Sequence, residues 1–346
     1  MQLDITRNLN FDFYPYTPFG LLARIALVGM RKGDTYAVLY PLYIELINRG
    51  HQVWVGWADE FERFPHRHVF DVAVFTDHQY TPQVKAKKNI VVGHGLMVSK
   101  NYTFTYTGES AKKSITGSQS EFDRYTRGNG YQFVDHIVTV SEYSHKQYLS
   151  RGVPEEKLAP LGYLETDWLF RSSYDDTFYY SWTLVAPTWN LEFRGYLDYL
   201  SELIRTHKPV VLKRHPNDPY VYKNLSPTYP IGLVDPCISL VSLLQQTRLV
   251  VTDVSSAMFL ALLKPEIPVW LYNSPLREKA GQWWYDPEGM EHKVRDFGQE
   301  FSDILPEVLD TPEKLKKRVE LSKCIYADLV DGNVSVRVAD LVESCL

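Results

Sequence analysis

The chain has 346 residues, 45% of them hydrophobic and 23% charged, an ordinary globular balance that excludes disorder as its main state. Its 37 basic and 42 acidic residues leave a net charge of −5, so a chain-wide electrostatic case for nucleic acid is absent. Cys237, Cys324 and Cys345 are widely spaced and form no CxxC pair, which argues against a disulfide framework or a zinc site and for a reducing compartment. Met1 to Tyr14 lacks the basic start and apolar core of a signal peptide, and no uninterrupted apolar run is long enough to span a bilayer. The expectation is a cytoplasmic protein, with peripheral attachment to the inner face of the cell membrane left open. Aromatic residues make up 14%, which fits either a sugar-facing surface or an aromatic core.

In chain order, residues 24–29 read as a short apolar strand ending in Gly29. Asp34 or Thr35 can cap a helix through Leu39, Leu42, Leu46 and Ile47, and Gly50 closes it as a left-handed C-cap. Residues 51–57 resume as a strand, which completes a βαβ unit and implies a parallel sheet. Further strands are expected at 70–75, 89–93 and 133–140, the last followed by a helix from Ser141. Residues 162–167 read as a loop leading into the polar stretch 171–181. A second series follows. Strands are expected at 183–186, 209–213, 248–252 and 267–271, with helices at 194–207, 239–246, 255–263, 312–330 and 334–346. Two βα series imply two Rossmann-like domains, 1–175 and 176–346, facing each other across a cleft. Ligands of open α/β sheets sit beyond the carboxyl ends of the strands.

Three motifs fall at such strand ends. Lys213-Arg214-His215-Pro216 follows the strand 209–213; its two cations and imidazole suit a phosphate or pyrophosphate, or else form a solvated strand end with a loop proline. Thr252-Asp253-Val254-Ser255-Ser256 precedes an apolar helix. Its serines either simply cap the helix or join the helix terminus in an anion site. Gly93-His94-Gly95 follows the strand at 89–93; here His94 is either an exposed turn residue or a general base for a hydroxyl. Gly93, Gly95, Lys100, Asp167, Pro187 and Thr188 are candidates for lining the cleft. No metal-ligand set is apparent.

These residues, taken in order over roughly 90–340, resemble the CDP-glycerol glycerophosphotransferase family of teichoic acid and capsule synthesis. The resemblance is carried by Gly93-His94-Gly95 through Lys100, Gly162 to Asp167, Ala186-Pro187-Thr188-Trp189, Lys213 to Pro216, Thr252 to Ser256, and Asp331-Gly-Asn-Val-Ser-Val-Arg337. The His94 segment differs from the family pattern in lacking its Trp and Thr-Pro. The resemblance implies a GT-B architecture, with the acceptor on the first domain and the donor on the second. It also implies C-terminal helices packing back toward the first domain, and metal-independent transfer of glycerol phosphate, or a similar polyol phosphate, from a CDP-activated donor. His94 and His215 would be catalytic. Lys213, Arg214, Thr252, Asp253, Ser255 and Ser256 would hold the donor. The partners would be a nucleotide-activated small molecule and a glycan or lipid-linked acceptor, not nucleic acid. The alternatives are a GT-B glycosyltransferase using a CMP- or UDP-sugar, and a catalytically silent GT-B binding protein.

Overall fold

The computed structural model describes residues 23–29, 35–57, 60–61, 69–77, 84–93, 134–150, 153–170, 182–186, 209–213, 231–235, 238–252, 256–264, 267, 269–271, 316, 319–320, 322–323, 326 and 329–346. These fall into two compact units, here called lobes: residues 23–170 with 323–346, and residues 182–271 with 316–322.

The first lobe is built on a six-stranded parallel sheet, in the order β2-β1-β3-β4-β5-β6. Its strands are β1 (Arg24–Gly29), β2 (Gln52–Trp57), β3 (Phe70–Phe75), β4 (Ala86–Val91), β5 (His136–Thr139) and β6 (Leu158–Pro160). The central strands β1 and β3 are almost continuously buried, as expected where helices cover both faces of a parallel sheet. β6 was not foreseen from the sequence. It is three residues long, lies at the sheet edge and ends in Pro160, a residue tolerated at such an edge because no ladder N–H is needed there.

The first crossover opens differently from the expected plain α-helix. A π-helical turn (Thr35–Leu39) precedes helix α1 (Tyr40–Asn48). Pro41 has no N–H to give to the carbonyl of Ala37, four residues earlier. That carbonyl instead accepts the indole Nε1–H of Trp168 at 2.7 Å. The rings of Trp168 and Tyr40 then stack at 5.6 Å, with 6° between their planes. α1 ends as Gly50 was expected to end it. Gly50 has φ 89° and gives its N–H to Ile47, while His51 gives its N–H to Leu46, a Schellman pair.

Helix α2 (Glu142–Ser150) follows β5, with Ser141 and Ser144 capping each other's backbone N–H groups.

The second lobe has a five-stranded parallel sheet, in the order β11-β10-β7-β8-β9. Its strands are β7 (Trp182–Ala186), β8 (Val210–Lys213), β9 (Ile231–Val234), β10 (Thr247–Thr252) and β11 (Val269–Leu271). Short helices α3 (Leu240–Leu244) and α4 (Ser256–Ala261) flank β10. Ser239 caps α3 by accepting the N–H of Val241. β9 is an edge strand whose Gly232 and exposed Leu233 hid it from the sequence pattern. The helix expected at 194–207 lies outside the described residues. Of the one expected at 312–330, residues 316, 319–320, 322–323 and 326 are described and helical, whereas 329 and 330 are described and are not.

The last helix, α5 (Val334–Ser344), belongs to the first lobe and contacts α1. Val334, Val338 and Val342 recur at fourfold spacing and are fully buried, each contributing roughly 1.5–3 kcal/mol relative to exposure.

Candidate functional site

In each sheet the strand order reverses once, which makes a topological switch point. In the second lobe β7 begins the series, β8 and β9 add on one side, and β10 and β11 on the other. Ligands of doubly wound sheets bind outside the carboxyl ends at such a reversal. Here Thr252 pairs with Ala186, and Val185 pairs with Leu212, so Thr252, Ala186 and Lys213 stand level in neighbouring strands. The first residues of three segments singled out in the sequence therefore stand side by side at one edge. The segments are those beginning with Thr252, with Ala186-Pro187-Thr188, and with Lys213-Arg214-His215.

Lys213 is 8% exposed, a buried cation at this edge. Thr252 has a more local task than the donor contact expected of it. Its hydroxyl donates to the carbonyl of Ala186 at 2.7 Å and ties β10 to β7 across the switch point. Ser256 is the first residue of α4. Pro187, Thr188, Arg214, His215, Asp253 and Ser255 lie outside the described residues.

The first lobe repeats the arrangement, with β2 on one side of β1 and β3 to β6 on the other. Gly29 closes β1 against Thr35, leaving no room for a Cβ between strand and crossover. Gly93, after β4, has φ 73°, a backbone that glycine adopts without strain. β3 and β4 are paired as far as Phe75 and Val91, and Asp77 lies two residues beyond that pair. Asp77 is 9% exposed and follows the fully buried Thr76. Sequence reasoning passed over this carboxylate. In sequence, Thr76-Asp77 directly follows β3, which lies just across the switch from β1. His94, Gly95 and Lys100 lie outside the described residues.

Asp167 is a correction. The sequence placed it in a loop lining the cleft, but it lies in a 3-10 turn (Leu164–Leu169) and is fully buried. Its two carboxylate oxygens accept the N–H groups of Val334 (3.1 Å) and Ser335 (2.8 Å) and so hold the start of α5. From the other side, Arg337 donates to the carbonyls of Leu161 (2.9 Å) and Leu329 (3.0 Å) and to Asp331 (2.7 Å). Burial works to raise the Asp331 carboxyl, but the bonds from Arg337 and Asn333 bring it below its ordinary value. Gly162 has φ 103°, and a Cβ there would stand 3.0 Å from Val334 Cγ2. The segments Gly162–Asp167 and Asp331–Arg337 thus bind each other. Beneath them Tyr163 donates to Glu165 at 2.8 Å. Burial, with the Glu165 charge beside it, pushes the Tyr326 hydroxyl well above its ordinary value.

No protein-family model matches the sequence, and no curated protein matches it. Solved structures do match in shape. A variant of the wall teichoic acid polymerase TagF soaked with CDPG superposes with a TM-score of 0.61 at 14% identity, covering 93% of this chain and 88% of that one. The UDP-GlcNAc 2-epimerase of Methanocaldococcus jannaschii gives 0.51 at 12% identity, covering 93% and 99%. A protein from Listeria monocytogenes described as a UDP-N-acetylglucosamine 2-epimerase gives 0.51 at 13%, covering 93% and 96%.

The chain has the GT-B fold. Two parallel sheets, each flanked by helices, form the two Rossmann-like lobes of this GT-B chain. Among its described residues, no three His, Cys, Asp or Glu side chains are grouped to hold a metal ion. Nor is any described helix long and apolar enough to cross a membrane.

Proposed function

We propose that this protein transfers a nucleotide-activated small molecule to a hydroxyl acceptor, and more specifically a glycerol phosphate or similar polyol phosphate from a CDP-linked donor. Its setting would be the synthesis of a cell-wall or capsule polymer. The observation that carries the reading is the second-lobe switch point, where Lys213 stands level with the starts of two further motif segments. The likeness in fold to TagF supports it.

In this reaction the acceptor oxygen attacks the β-phosphorus in line. A new O–P bond forms, the bond to the bridging oxygen breaks, and CMP leaves with that oxygen. His94 takes the acceptor proton. Lys213, His215, Ser255 and Ser256 hold the pyrophosphate and offset the charge that develops on CMP, a positioning and electrostatic role.

A second reading, a nucleotide-sugar enzyme on the same scaffold, is favoured by the likeness in fold to the two epimerases. Thermal stabilisation separates the two, because a ligand that binds only the folded state raises its melting temperature by mass action. CDP-glycerol, CMP-Kdo, CMP-sialic acid and UDP-GlcNAc are titrated with and without EDTA. The expected result is stabilisation by CDP-glycerol, indifferent to EDTA and lost in His215→Ala. A response to UDP-GlcNAc or a CMP-sugar alone would replace the first reading by the second.

A further inference from the structure

Three of the four sheet edges formed by the described strands are blunted. β6 and β11 are three residues long, β6 ends in Pro160, and β9 carries Gly232. Short strands and proline deter pairing with another chain. β2 differs. It forms the other edge of the first-lobe sheet, runs for six residues, and contains neither a charged residue nor a proline. In a parallel sheet, alternate residues turn both backbone groups toward the same neighbour. Gln52 gives its N–H to Ala23 at 3.0 Å, so Gln52, Trp54 and Gly56 face β1, and Val53, Val55 and Trp57 face outward. The outward N–H of Trp57 donates to Glu60 Oε2 at 3.3 Å, which closes the edge at that end. Among the described residues, none bonds the outward N–H and carbonyl groups of Val53 and Val55.

We propose that this open edge binds the same edge of a second copy of the chain, in an antiparallel pair centred on Trp54. The edge is self-complementary. About a twofold axis at Trp54, Val53 meets the partner's Val55, and Val55 meets the partner's Val53. Each Val53 N–H then donates to the carbonyl of the partner's Val55, and each Val55 N–H to the carbonyl of the partner's Val53. Every outward group between Gln52 and Gly56 is thereby satisfied, and the pair ends where Glu60 already occupies Trp57. Trp54 falls opposite the partner's Trp54 in the non-hydrogen-bonded position, where Cα atoms approach to about 4.5 Å and cross-strand aromatic pairs add stability. The Trp54 ring is held for this by Phe70, which it meets edge-on at 5.3 Å. Because Gln52–Trp57 carries no charge, a copy of it brings no like-charge repulsion into the pair. Such a contact closes on itself and joins the two first-lobe sheets into one. The inference is independent of the reaction the protein catalyses.

The test is sedimentation velocity on the full-length chain over a range of concentrations, beside the variant Val55→Pro. Proline is tolerated on an edge strand where its missing N–H faces outward, and there it removes a donor from each copy and puts a ring in the partner's path. The wild type is expected to form dimers that dissociate on dilution, and Val55→Pro to weaken that association roughly 100-fold with its circular dichroism unchanged. Should the variant not fold, amide exchange in the wild type decides. Exchange at Val53 and Val55 is expected to quicken as the dimer is diluted, while Trp54 and Gly56, bonded to β1, keep their protection. A wild type that is monomeric at every concentration with these two amides exchanging freely would overturn the proposal. So would a monomer in which they are protected, because a segment of the same chain then covers the edge. A dimer that survives Val55→Pro, or whose dissociation leaves exchange at Val53 and Val55 unchanged, would place the interface elsewhere and overturn it as well.

Discussion

The carboxyl edge of the second lobe and the clasp at the start of α5 are built from the same kinds of residue. Each combines a strand or turn end, a glycine or proline nearby, an acid and a base. They differ in where their hydrogen-bonding capacity goes. In the clasp, both oxygens of Asp167 and the guanidinium of Arg337 are consumed by backbone groups of the same lobe. At the strand edge, the Thr252 hydroxyl donates to the carbonyl of Ala186 and ties two strands together. A motif rich in polar residues is therefore a poor guide to chemistry until its partners are known. The clasp spends its polar residues on holding the start of α5, and the proposed donor site draws on residues at the carboxyl ends of strands, where ligands of such sheets bind.

The sharpest way to test this division is to separate turnover from stability. His215→Ala, in the proposed donor site, is expected to lower turnover roughly 100- to 1000-fold while leaving the melting temperature nearly unchanged. Steady-state rates and a thermal scan on one preparation check it, and a large drop in melting temperature would move His215 to the clasp's class. Asp167→Ala should behave in the opposite way. It leaves two buried N–H groups without a carboxylate, at a cost of about 3 kcal/mol in denaturant unfolding. Turnover per folded molecule should hold; if it falls with stability intact, Asp167 is a site residue after all.

Thr252→Val tests the boundary between the two classes, because Thr252 lies at the edge yet its hydroxyl serves the backbone. The expected loss is about 1 kcal/mol of stability, with little change in nucleotide affinity. A selective loss of CDP-glycerol binding would restore it to the donor site.

The smallest effect concerns pH. The hydrogen bond from His51, joined by Arg49 and opposed by desolvation, holds the Glu343 carboxyl of α5 below its ordinary value. A carboxyl depressed by folding stabilises the native state above its unfolded value and loses that contribution as pH falls. Stability should therefore decline below about pH 4.3, the ordinary glutamate value. The decline should be shallower in Glu343→Gln, as urea unfolding across that range would register.

Much of the fold was legible because parallel strands covered on both faces need continuous apolar runs, and β1, β3, β7 and β10 have them. Gly50 announced the end of α1 because its left-handed backbone suits glycine. Edge strands were harder. β6 and β9 are short, and one is broken by proline and the other by glycine, since an edge needs neither a full ladder nor two buried faces.

The sequence by itself determined two parallel α/β series and the strand ends that carry polar motifs, because alternation of apolar runs, caps and crossovers is local information. Tertiary structure alone decided which strand ends are neighbours, and so which motifs share an edge. It also decided that Asp167 serves α5, more than 160 residues further on, instead of a ligand. Strand order and the burial of a carboxylate depend on contacts between distant segments. The energy of those contacts lies in packing and in satisfying buried backbone groups, neither of which is written in any one stretch of chain.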